Sequence, residues 1–245
     1  MALLPRLRRL LGRPASTSRV GARRPGSSRH GDVPQEDALR AALGDDPNDE
    51  RAFAALAEIV RRHAVTGTGD DPLTADAEDT GPDGAPADPD AGDALRAAQA
   101  ERQRAADLAV WALGEELSGN PRAWYPLVEV ARLSVRDDLE GTLRRLTTAA
   151  ERDPSGKALV AGLRLLREAG LPVEALNLGT GHWHPREHDP EVGRQLVLAA
   201  VEADRPLDAK QHLASLDLAP HPARTAAMRE ELAALVARAE DQPQS

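Results

Sequence analysis

The sequence predicts an all-α chain, and three observations carry that prediction. Ala, Leu, Arg and Glu abound, and these are the strongest helix formers. β-branched runs are scarce, and Phe53, Trp111, Trp124, Tyr125 and Trp183 are the whole aromatic set, so few segments suit a pleated, half-buried strand. Prolines and glycines fall between apolar-periodic stretches, where a helix interior would reject them.

Taken in order, the first helix is predicted at 34–43, with Gly44 as its C-cap. Asp49 then caps a second helix at 50–63. After an interruption, helices follow at 94–117, 121–134, 138–152, 156–169, 172–179, 190–203, 206–216 and 221–239. The breaks are Gly119-Asn120-Pro121, Asp153-Pro154, Gly170-Leu171-Pro172, the stretch from Gly179 to Pro190, Arg205-Pro206 and Pro220. The last helix is expected to close the end of the array, turning Ala227, Leu232 and Leu235 inward and Arg229, Glu230 and Glu231 outward.

Charge is distributed unevenly. Residues 1–30 hold eight arginines and no acid, whereas residues 31–95 hold seventeen acids and four arginines. The first 33 residues read as a basic, disordered arm. Leu3, Leu4, Leu7, Leu10 and Leu11, at helical spacing among arginines, also give them the form of a short amphipathic helix for an anionic membrane surface. Residues 65–93 are rich in Gly, Pro, Asp and Thr with almost no large apolar side chain. They cannot bury enough surface to offset their ordering entropy, and read as an acidic disordered insert. The chain has no cysteine, which removes disulfides, thiolate zinc sites and cysteine nucleophiles. No apolar stretch reaches the roughly 20 residues that cross a bilayer. A cytoplasmic chain, peripheral at the inner face of the membrane where the arm engages it, is the expectation.

Short helices in succession call for a search for internal repeats. From Pro121 to Pro154, Trp124, Leu127, Val128 and Ala131 stand at one face of a first helix. Thr142 and Leu146 stand on a second, Ala149 follows one turn later, and Asp153-Pro154 closes the unit. The spacing recurs at Phe53, Leu56, Ala57 and Val60, at Leu159, Gly162, Leu163 and Leu166, and at Gly193, Leu196, Val197 and Ala200. Small residues of second helices fall at Ala106, Thr142, Ala175 and Ala209, with gaps of 36, 33 and 34. Packing residues of first helices fall at Ala57, Val128, Leu163 and Val197, with gaps of 71, 35 and 34, the first gap spanning the insert. Small side chains let paired helices approach, and large ones fill the hole between neighbouring pairs.

This pattern resembles the tetratricopeptide repeat, whose period is about 34 residues. The resemblance covers 34–64 and 94–220. Most of the family's aromatic positions carry Leu, Val or Ala here, the turn before Asp138 is about two residues longer, and Gly179 stands where a large apolar residue belongs, which marks that unit as degenerate. The resemblance implies a right-handed α-solenoid of antiparallel helix pairs whose first helices line a concave face that grips an extended peptide. Carried over by register, that face holds Arg122, Tyr125, Glu129, Arg132, Lys157, Val160, Arg164, Arg167, Glu191 and Arg194. Its centre is net basic, so the implied partner is a protein or peptide segment, acidic or C-terminal, that suits guanidinium forks.

Rival chemistry is sparse. His182, His184 and His188 with Glu187 and Asp189 offer nitrogen and oxygen ligands for a metal-dependent enzyme. Pro185 breaks the helix that would align them, and the plainer reading is a loop between repeats. Carboxylate pairs such as Glu115-Glu116 and Asp137-Asp138 read as solvated surface. Gly179-x-Gly181 follows a helix rather than a strand and does not form a phosphate loop. The expectation is a protein-interaction scaffold with no catalytic residue, metal, cofactor or small-molecule substrate. The alternative is a membrane or nucleic-acid tether through the arm.

Overall fold

The structure is a computed structural model and describes residues 29–68, 89–220 and 222–241. Among these, all regular structure is helical: α1 (Arg29–Asp45), α2 (Glu50–Thr68), α3 (Pro89–Ser118), α4 (Tyr125–Ser134), α5 (Leu139–Arg152), α6 (Lys157–Glu168), α7 (Pro172–His182), α8 (Pro190–Glu202), α9 (Pro206–Ser215) and α10 (Pro222–Asp241). A 3-10 turn over Leu216–Leu218 ends α9. Each helix packs on its successor, and alternate helices also touch, α4 on α6, α5 on α7, α6 on α8 and α8 on α10.

Several boundaries differ from those predicted. Helix α1 starts at Arg29 and takes in Pro34, so the basic arm ends sooner than residue 33. Gly44 is not a left-handed cap: it lies within α1, and the helix closes one residue later, where the Asp46 amide donates to Ala42. Both edges of the expected insert are helical. Helix α2 runs to Thr68, with the Thr66 hydroxyl donating back to Arg62 at 2.9 Å, and α3 opens at Pro89, a residue tolerated at a first helical position. Residues 69–88 and the arm up to residue 28 lie outside the described residues. Helix α4 begins at Tyr125 because Pro121 and Arg122 form a turn.

The eight residues of the two packing columns are all buried. Ala57, Val128, Leu163 and Val197 sit on α2, α4, α6 and α8, and Ala106, Thr142, Ala175 and Ala209 on α3, α5, α7 and α9, none more than 4% exposed. Gly179 on α7 is the informative exception to the family pattern. A Cβ there would stand 3.0 Å from Leu196 Cγ and closer still to its methyl. The hole is filled from the opposite side, by Leu196 of α8, so the unit is packed and not degenerate. On α10 the buried stripe is Thr225, Leu232 and Val236, with Met228 partly covered. Leu235 is half-buried, whereas Ala227, expected to face inward, is exposed.

Turn geometry repeats as well. After α6, Gly170 adopts φ 76°, its amide donates to Arg167 at 2.9 Å, and the Leu171 amide donates to Leu166 at 2.9 Å. After α8, Asp204 adopts φ 55°, with amides of Asp204 and Arg205 donating to Val201 and Ala200 at 3.1 and 2.8 Å. Both are Schellman closures, each followed two residues later by a proline that opens the next helix. Helix starts follow a rule of their own: carboxylates of Asp49, Asp138, Asp153 and Asp189 accept amides of α2, α5, α6 and α8.

Helix α4 has no cap of its own, since Trp124 precedes it. The cap comes from a distant turn. Asn48, between α1 and α2, accepts the Trp124 amide at 2.7 Å and the Tyr125 amide at 3.0 Å on its side-chain oxygen, and donates to the Arg122 carbonyl at 2.9 Å. Replacing Asn48 by Ala strands two amides at a half-buried helix start. It should cost about 2 kcal/mol, read as a lowered urea midpoint. Asn48→Asp, which keeps the acceptor, should recover most of the loss. Equal stability of Asn48→Ala and wild type would remove this cap from the account.

Candidate functional site

The N-terminal half of α4, the face of α6 beside it and the starts of α2 and α8 enclose an open groove of about 360 Å³. Its floor is apolar: Trp124, Val128, Val160 and Ala161. Its walls carry Glu50, Glu129, Asp189 and Glu191 together with Arg132, Lys157 and Arg164, and Tyr125 stands among them.

Of the residues expected to face a ligand, Tyr125, Glu129, Arg132, Lys157, Val160, Arg164 and Glu191 are brought together here. Three arginines are not. Arg122 lies on the turn before α4, its guanidinium 3.4 Å from the Asp45 carbonyl. Arg167 braces α6 to α8: its Nε donates to Glu202 at 2.9 Å, and its terminal nitrogens reach Glu202 and Gln195. Arg194 turns toward α10, pairing with Glu231 at 3.6 Å and with Glu191 at 3.7 Å. Glu50 was missed because the sequence reads it as the first residue of a helix, and Asp189 because the sequence groups it with the histidine segment. Trp124 and Val128 were missed because their spacing marks them as core, and Ala161 because a lone alanine beside that spacing carries no signal. At the edge of the core such a residue serves both.

The expected surplus of positive charge is absent. Four carboxylates and three cations line the groove, and two of the cations are already engaged. Arg132 pairs with Glu129 at 3.5 Å and Glu168 at 3.8 Å, and Arg164 with Glu191 at 3.8 Å. Lys157 makes no ion pair among the described residues.

Tyr125 is the hub of the site. Its ring meets Phe53 edge-on at 5.4 Å and Trp124 at 5.8 Å. Burial pushes its hydroxyl up to about 12, and the carboxylates of Glu129 and Glu50 add to the shift.

The histidine segment takes no metal-binding form. Among the described residues, no group of three His, Cys, Asp or Glu side chains is placed to hold a metal ion. His182 ends α7, and His184 and His188 meet edge to face at 5.2 Å. His188 is buried, its Nδ1 accepting the His184 amide at 3.3 Å, and burial first, then the neighbouring His184, lowers its basicity. It lines a second cavity of about 340 Å³ with Ser155, Thr225 and Met228. No helix among the described residues is long and apolar enough to cross a membrane.

The chain matches no family model, no curated protein and no solved structure. Any functional reading therefore stands on the residues and their geometry.

Tyr125 is the single tyrosine of the chain, so its ionisation is directly measurable. A raised folded pKa adds stability that is complete below the unfolded value of about 10 and is lost as pH climbs toward the folded value of about 12. Alkaline titration by tyrosinate absorbance should give that folded value, and Glu50→Gln should lower it. An ordinary titration near pH 10 with helicity intact would contradict the enclosed environment described.

Proposed function

We propose that the chain is a tetratricopeptide-like interaction scaffold: successive antiparallel helix pairs stacked as a right-handed solenoid, binding an extended segment of another protein in the groove of α2, α4, α6 and α8. One observation carries the reading. Seven residues chosen by a 34-residue register, from segments far apart in sequence, line a single groove. Three further facts support it. Both packing columns are buried on alternating helices, the closures after α6 and α8 share one geometry 34 residues apart, and the packing of each helix on its successor, with α4, α5, α6 and α8 also touching their second successors, is consistent with a quasi-one-dimensional repeat array.

An apolar floor between charged walls suits an extended chain that alternates buried and solvated side chains. An acidic ligand was the expectation while the arginines counted as free. With Arg132 and Arg164 paired within the protein, Lys157 is the place for a carboxylate of the segment. No catalytic step and no cofactor is assigned to these side chains.

The test is selection of linear peptides from a displayed random library on the immobilised full-length chain. A consensus should emerge, and Val160→Glu, which sets a charge on the groove floor, should weaken the selected peptide about tenfold or more while helicity and unfolding midpoint stay near wild type. Selection of no sequence, or binding indifferent to Val160→Glu, would overturn the reading.

The arm supports a second, compatible role as a tether to anionic lipid, resting on eight arginines without an acid in residues 1–30. Vesicles rich in phosphatidylserine should retain the full chain at low salt and release it as salt rises. Retention unchanged after Arg6, Arg8, Arg9 and Arg13 are replaced by Gln would exclude the tether.

A further inference from the structure

We propose that the α2–α4 corner of the groove, formed by Glu50, Trp124, Tyr125 and Glu129, is a subsite for one basic side chain, arginine or lysine, of the bound segment. The inference rests on the groove reading above and adds to it the chemistry that selects the partner.

Two carboxylates converge on this corner from different helices. Glu50 is the first residue of α2, is exposed, and makes no ion pair among the described residues. Glu129, one turn into α4, is half-buried and shares only one oxygen with Arg132, at 3.5 Å. Both line the groove beside Tyr125, and burial, the negative field of the two carboxylates and a hydrogen bond with Glu129 keep its hydroxyl neutral. The aromatic wall is rigid, because Tyr125 is wedged between Phe53 and Trp124 with interplanar angles of 83° and 82°. The Asn48 cap fixes the backbone beneath it.

Such a corner discriminates by charge. The aliphatic stem of an arginine or lysine lies along the aromatic wall, and its cationic head reaches the carboxylates. An acidic side chain meets two like charges at the same place. Arginine exploits it best, since its planar fork engages two acceptors at once.

The peptide selection on the full-length chain tests this directly. The consensus should hold Arg or Lys at one fixed position, and its replacement by Gln should weaken binding about tenfold, the size expected of a half-desolvated cation facing an aromatic ring and a carboxylate pair. On the Glu50→Gln/Glu129→Gln chain, the Arg and Gln peptides should bind alike. Because the comparison is made between two peptides on one chain, it is independent of any change in the variant's stability. A consensus without a fixed basic residue, or an Arg preference that survives in the Glu50→Gln/Glu129→Gln chain, overturns the subsite and leaves the groove reading standing. Failure to select any sequence overturns both.

Discussion

The groove depends on one joint. Residues 46–48 and 120–125 are far apart in sequence, yet the Asn48 side chain holds the first two amides of the α4 region and Tyr125 packs at once against the α1–α3 core and the core of α4 to α10. Those two cores are separate clusters, each with its own buried side chains. Without the joint, α2 and α4 would be tied only by side-chain packing, and the corner between Glu50 and Glu129 would lack a fixed width. A side-chain cap is well suited to this role. It satisfies amides that would otherwise be stranded at a helix start, so the interaction carries both position and energy.

The arginines tell a related story. Arg152 gathers the carbonyls of Ser118, Asn120 and Ala123 at 2.9, 3.2 and 2.9 Å, closing the end of α3 from α5. Arg145 lies 5.9 Å over the Trp111 ring and reaches Glu115 at 3.1 Å. Arg167 braces α6 to α8, and Arg229 pairs with Asp217 across the last turn. Where helices touch mainly their near neighbours in sequence, a long side chain with several donors ties one to the next well. Among the described residues these arginines are therefore structural, which is why counting charges along the sequence overstates what the groove presents.

What was legible in the sequence follows from what repeats. Helix identity, the buried columns and seven groove residues were readable because apolar spacing and the 34-residue period are local signals. The Asn48 cap was not, since nothing in Asp46-Pro47-Asn48 names a partner some 76 residues away. The packing at Gly179 was not either. A glycine reads as a missing side chain, and only the position of Leu196 shows that the volume is supplied by the neighbouring helix. The extensions of α2 and α3 escaped because composition alone marks where a chain cannot bury surface, not where a helix already under way will stop.

Ion pairing decides what kind of surface the groove is. A helix face read in isolation shows Arg132 and Arg194 with no acid at i,i+4, and offers Arg164 only Glu168 of its own helix. Their partners lie on the same helix at three residues' distance, as Glu129 and Glu191 do, or on the next helix but one, as Glu168, Glu191 and Glu231 do. Packing of alternate helices thus converts a row of cations into alternating charge. The lining residues left without an ion pair among the described residues, Glu50, Lys157 and Asp189, all stand at helix starts, where the rim of the groove meets solvent. Exposed pairs along the walls contribute little energy each, so they hold side chains in place more than they hold helices together. The groups left over at the rim are then the ones that a segment bound as proposed would meet uncompensated.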